Sequence, residues 1–130
     1  SGISIKEIFK SKGENYFREL EEKITLNKLK LNSVVISLGG GAFMNQQIRK
    51  EVLKKHISFW LNWDAQILIN RIRNSAKRPI AYKSSNDKLI EMINKRSGIY
   101  SKALYEIKCD NHSKNEIVKK VLKIYEKYST

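Results

Sequence analysis

The sequence predicts an α/β protein with a parallel sheet covered by helices on both faces. "SVVISL" (33–38) is a continuous apolar run without alternation, and "ISFWLN" (57–62) is of the same kind. Both are set between amphipathic stretches with apolar residues three to four apart, and a third strand-like run, "LYEIKCD" (104–110), follows later. Strands buried on two faces and alternating with helices indicate this architecture, in which ligands bind beyond the carboxyl ends of the strands.

The elements follow in order. Ser4 and Glu7 form a possible capping box for a helix over 4–11, which Lys12 and Gly13 break. A second helix starts at Glu14 and is expected to end near Asn32, with Phe17, Leu20 and Ile24 on its apolar stripe. Asn45 is the expected N-cap of "NQQIRKEVLKK". A helix over 64–76 turns Ile67, Leu68 and Ile72 inward, and one capped by Asp87 runs to about Gly98 with Leu89, Ile90, Met92 and Ile93 inward. The terminal helix carries Ile117, Val118, Val121, Leu122 and Tyr125 on one stripe. "KRPIAYKSSND" (77–87) holds the single proline, is basic and aperiodic, and reads as a functional or mobile loop.

At 130 residues the chain is one domain's worth of sequence. Its apolar runs fall short of the roughly 20 residues of a membrane span, and "SGISIKEIF" lacks the apolar core of a signal peptide, so a cytoplasmic location without membrane association is expected. One cysteine excludes an internal disulfide and cannot alone make a zinc site; Cys109 reads as a small buried hydrophobe rather than a catalytic thiol. The net charge of +13 suits nucleic acid, a membrane surface or small anions. The lysines are dispersed along every segment, which argues against a specific nucleic-acid patch.

Gly39, Gly40 and Gly41 end the first buried run and precede a helix. Residues without Cβ atoms can take φ > 0 and let a ligand approach backbone N–H groups, although a tight turn with no ligand explains the triplet nearly as well. The segment fits neither GxxxxGK[ST] nor GxGxxG, and no other segment does. Arg18, one turn before Glu21, has a bland account as an i,i+3 ion pair, and Arg78 and Arg96 have bland accounts as surface cations. If the loop covers the strand ends, the three converge on one rim with planar forks suited to a carboxylate and phosphates.

"SGISIKEIFKSKGENYFRELE", "VVISLGGGAF", "RNSAKRPI" and "INKRSGIYSKA", in this order and at these separations, resemble the shikimate kinase family over essentially the whole chain. The resemblance implies that Arg18 and Arg96 hold the shikimate carboxylate, that Glu21 supports the site, and that Phe9 and Phe17 line it. It implies that backbone N–H groups of Gly39, Gly40 and Gly41 meet substrate hydroxyls. Arg78 matches the catalytic lid arginine that closes over the nucleotide phosphates, and Arg71 and Lys114 match basic residues flanking the adenine. The implied reaction moves the γ-phosphoryl of ATP to the 3-hydroxyl of shikimate, with Mg²⁺ bridging phosphate oxygens and no metal ligand assigned to this chain. Shikimate and ATP are the implied small-molecule partners, and a monomer is expected.

Within 1–130, read as one partial domain, the resemblance divides the chain into substrate-binding helices (1–32), core strands and helices with the glycine turn (33–77), a lid (78–88) and a C-terminal core (89–130). The family's strand, GxxxxGK[ST] loop, helix and second strand, which come before these segments, have no counterpart here. The expectation is therefore a C-terminal portion of a longer reading frame, inactive as it stands. A non-catalytic shikimate kinase-like binding protein and a related small-molecule kinase, such as a gluconate kinase, are the alternatives.

Overall fold

The computed structural model describes residues 4, 7, 10–74 and 85–129. Among these residues the elements follow one another as α1 (Glu14–Lys28), α2 (Gln46–Lys55), β1 (Phe59–Asn62), α3 (Ala65–Arg73), α4 (Asn86–Tyr100), β2 (Tyr105–Lys108) and α5 (Lys114–Ser129), with a 3₁₀ turn at Ala42–Met44. The strands are parallel, with Phe59 opposite Tyr105 and Asn62 opposite Lys108, and α3 and α4 make the crossover between them. Ladder bonds continue just past the strand ends, from Tyr105 N–H to the Ser58 carbonyl (3.0 Å) and from Cys109 N–H to the Asn62 carbonyl (2.9 Å).

Helices cover both faces, as the sequence predicts. Successive strand residues point to opposite sides. Phe59 and Ile107 pack with Cys109 and with Ile117, Val121 and Ile124 of α5, whereas the ring of Trp60, on the other side, meets Tyr100 of α4 (centroids 6.4 Å apart). A second cluster joins α3 to α4 through Ile69, Ile72, Leu89 and Ile93. The third joins α1, the 3₁₀ turn and α2 through Leu29, Phe43, Ile48 and Val52. Cys109 is fully buried, in keeping with a structural role, and loss of hydration pushes its thiol pKa up, with Asp110 adding to the rise.

Several local expectations hold. Ser4 Oγ accepts from the Glu7 N–H (3.1 Å), and Asn45 caps α2 by accepting from the Ile48 N–H (3.0 Å). Gly13, at φ 86°, takes the left-handed backbone that breaks the chain before α1.

Others are corrected. Residues 33–38 form no strand: no ladder is made along them, Val34 is half exposed and Val35 wholly exposed. A β-branched run becomes a strand only where a neighbouring backbone accepts and donates its hydrogen bonds, and none of the described residues does so here. The first long helix stops at Lys28 rather than Asn32, because Leu29 and Lys30 turn back onto Thr25 and Asn27; Ser33 then takes a left-handed backbone (φ 56°). The cap of α4 is Ser85, which accepts from the Lys88 N–H (3.3 Å), rather than Asp87, and the helix continues past Gly98 to Tyr100. Of the expected inner face of α3, Ile72 is buried and Leu68 packs against the same cluster, but the second buried residue is Ile69 rather than Ile67, and Ile90 of α4 is exposed. On α5 Ile117, Val121 and Ile124 pack into the cluster under the sheet, and the ring of Tyr128 meets that of Tyr105 in β2 edge-on (centroids 6.4 Å apart). Val118, Leu122 and Tyr125 stay about half exposed, because two strands about 4.8 Å apart cover only a narrow stripe of a helix.

Candidate active site

The glycine turn is where the predicted site residues meet. It lies between α1 and α4, and the 3₁₀ turn that follows it is closed by Ala42 N–H to the Gly39 carbonyl and Met44 N–H to the Gly41 carbonyl (3.1 Å each). Arg49 of α2 donates through Nη1 to the carbonyls of Phe43 (3.1 Å) and Met44 (3.3 Å), which fastens the turn to α2.

Two guanidinium groups press on the turn. A β-carbon added at Gly40 would stand 2.8 Å from Arg96 Nη1, and one added at Gly41 would stand 2.7 Å from Arg18 Cζ and 2.8 Å from Nη2. Real β-carbons do not tolerate such contacts, so a side chain at either position would push the neighbouring guanidinium off the turn. Positive φ plays no part: Gly41 sits at φ −99°, ψ −14°, and Gly13 is the one glycine with positive φ among the described residues. The expectation that the triplet serves a left-handed backbone is thereby corrected to close approach alone. Gly39 is less constrained, since a β-carbon there would meet Glu21 Oε2 at an ordinary 3.9 Å.

Arg18 and Glu21 lie one turn apart on α1 and pair through Nη1 and Oε1 at 2.8 Å, with both side chains partly buried. Arg18 also lies over the Phe17 ring, 5.2 Å from its centroid. The Nη1 that Glu21 holds is also the guanidinium atom nearest Gly41, so one pairing fixes the group against the turn. Arg96 makes no ion pair with a carboxylate among the described residues. An anion placed at the turn would find two planar cations on consecutive glycines, a geometry that favours bidentate capture of a carboxylate. An open cavity of about 290 Å³ lies beside Arg18, lined also by Asn15, Glu19, Glu22 and Asn45. It does not include the glycines, and the convergence of arginines on the turn is the better guide to chemistry.

The remaining predicted residues are placed apart or not at all. Arg71 lies over the indole of Trp63, 3.9 Å from the centroid, directly beyond the carboxyl end of β1. Lys114 opens α5 in an exposed position after the turn that leaves β2. Phe9 and Arg78 lie outside the described residues. Two residues were missed: Arg49, which the sequence shows only as one more cation on an amphipathic helix, and Tyr100. The spacing of Tyr100 four residues after Arg96 puts them on one helical face and is the signal that could have found it.

Fold and site together define an α/β domain in which two arginines converge on a glycine turn. The shikimate kinase family model matches residues 1–126, and the chain belongs to that family. The shikimate kinases of Bartonella henselae and Bartonella quintana are each 32% identical to it over 127 residues, 97% of this chain. The chain spans only 60% of the length of those two curated relatives. It covers 70% of the Zymomonas mobilis shikimate kinase, at 32% identity over 94% of this chain. The crystal structure of the Aquifex aeolicus shikimate kinase superimposes with a TM-score of 0.81 at 28% identity, covering 98% of this chain and 75% of that one. The Acinetobacter baumannii shikimate kinase in complex with shikimate matches the fold with a TM-score of 0.90 at 22% identity, over 98% and 72% of the two chains.

Proposed function

We propose that the whole protein transfers the γ-phosphoryl of ATP to the 3-hydroxyl of shikimate, and that residues 1–130 supply the part that holds shikimate. The observation that carries this reading is the approach of Arg18 and Arg96 to consecutive glycines. The two forks fix the carboxylate, so the ring is held in one orientation and its 3-hydroxyl is presented in one direction. Glu21 keeps Arg18 in place, Phe17 and Phe9 line the ring, and the N–H groups of 39–41 meet the hydroxyls. Arg78 closes over the nucleotide phosphates, and Arg71 on Trp63, with Lys114, flanks the adenine.

Mg²⁺ supplies charge neutralisation between the β- and γ-phosphates when bound. Among the described residues no three His, Cys, Asp or Glu side chains gather to hold a metal ion, so no step of this mechanism is assigned to it. The proposal takes the protein to be a monomer in the cytoplasm, and no described helix is long and apolar enough to cross a membrane.

The test is calorimetric titration of shikimate into the 130-residue chain, together with an assay coupling ADP formation to shikimate. Saturable binding, lost in Arg18→Ala and Arg96→Ala, is expected, without ATP turnover, because the sequence contains no GxxxxGK[ST] loop. Binding that survives both substitutions would overturn the site. Turnover by the 130-residue chain would overturn the assignment of the phosphate-holding half to residues beyond it.

A further inference from the structure

The hydroxyl of Tyr100 donates a hydrogen bond to the carbonyl of Gly40. Tyr100 ends α4 exactly one helical step after Arg96, four residues along, so the two side chains leave the helix on the same face. Both reach the same glycine: a β-carbon at Gly40 would stand 2.8 Å from Arg96 Nη1 and 3.8 Å from the Tyr100 hydroxyl oxygen. The phenol ring is itself held, with its centroid 6.4 Å from those of Phe43 in the 3₁₀ turn and of Trp60 in β1. Sheet, helix and glycine turn therefore meet at this one side chain.

The peptide joining Gly40 to Gly41 is planar and trans, so its carbonyl and the Gly41 N–H point in opposite directions. A donor that fixes the carbonyl also fixes the direction of that N–H. Glycines rotate more freely about φ and ψ than any other residue, and three in a row would leave this peptide poorly defined without an external restraint. We propose that Tyr100 is a positioning residue for the proposed phosphoryl acceptor: by holding the Gly40 carbonyl it turns the Gly41 N–H toward the substrate hydroxyls, while the arginines take the carboxylate. The inference rests on the shikimate reading of the site and goes further by separating hydroxyl recognition from carboxylate recognition.

Tyr100→Phe keeps the ring between Phe43 and Trp60 and deletes only the hydroxyl. Two ligands separate the roles: shikimate, and cyclohex-1-ene-1-carboxylate, which has the ring and carboxylate without the hydroxyls. Tyr100→Phe is expected to weaken shikimate binding about three- to tenfold, the scale of one hydrogen bond, and to change binding of the hydroxyl-free acid less than about twofold. ¹⁵N relaxation on the ligand-free chain should show lower backbone order at Gly40 and Gly41 in the variant, with Ile48 and Leu89 unchanged. Unaltered shikimate affinity, or equal weakening of both ligands, would overturn the proposal. If the unsubstituted chain binds neither ligand, the shikimate reading fails, and the relaxation measurement still decides the role of Tyr100: unchanged order at Gly40 and Gly41 rejects it, and lowered order sustains it.

Discussion

Arg18 lies flat against Gly41, with Cζ 2.7 Å from where a β-carbon would stand. The backbone at Gly41 is ordinary right-handed helical geometry that alanine also adopts. Gly41→Ala should therefore cost less than about 1 kcal/mol of stability, because a long side chain can swing aside. Moving Arg18 off the turn should weaken shikimate binding about tenfold, the scale of a lost charge-assisted contact. Thermal melts and calorimetry on the same preparation read the two effects separately. A large loss of stability with unchanged affinity would refute the arrangement.

Glu21 is paired to Arg18 at 2.8 Å, and in the proposed site it acts on the substrate through that pair. Glu21→Gln keeps a hydrogen-bond acceptor but removes the charge, and should weaken shikimate binding by less than Arg18→Ala does. Arg18→Lys should be nearly as damaging as Arg18→Ala, since an ammonium cannot serve Glu21 and a carboxylate with one planar fork. The measurement is a set of dissociation constants for the three variants.

Leu89 is wholly buried between α3 and α4, whereas Val35 is wholly exposed. Leu89→Ala should cost about 2 to 5 kcal/mol. Val35→Thr should cost less than about 0.5 kcal/mol, as at any exposed position without a partner. Urea unfolding of the 130-residue chain provides both numbers. A large cost at Val35 would restore the buried strand that the sequence suggests.

Acid should loosen the start of α5. The Ser113 N–H donates to Glu116 Oε1 (2.8 Å) and the Glu116 N–H donates to Ser113 Oγ (3.2 Å), a capping box; the Ser113 N–H and hydroxyl beside the carboxylate, followed by His112, hold the Glu116 carboxyl below its ordinary range. A depressed carboxyl pKa stabilises the folded state above the unfolded-state value of about 4.3 and ceases to do so as pH falls through the folded value. Amide exchange at the first turn of α5 should therefore quicken below about pH 4 relative to the rest of the helix. Glu116→Gln should remove most of that pH dependence.

The parts of this fold that the sequence made legible are those decided locally. Helical periodicity, the Asn45 cap and the Arg18–Glu21 spacing each depend on residues within a turn or two of one another. "SVVISL" misled because strand formation depends on a partner backbone that composition does not reveal. For the glycine triplet the sequence offers a ligand-facing turn or a plain tight turn at positive φ; what the structure sets against Gly40 and Gly41 is the room taken by two arginines from α1 and α4, far away in sequence. Tyr100 went unnoticed for the same cause, its hydrogen bond to Gly40 spanning 60 residues.

The wholly exposed Val35 and its half-exposed neighbour Val34 also bear on how copies of the chain behave toward each other. An apolar, β-prone backbone without ladder partners among the described residues is a template on which a neighbouring copy can add a strand. The surplus of thirteen positive charges opposes that encounter. Added salt shortens the reach of the repulsion to about 10 Å at 0.1 M. Strand addition between copies is therefore favoured by salt and opposed in dilute buffer.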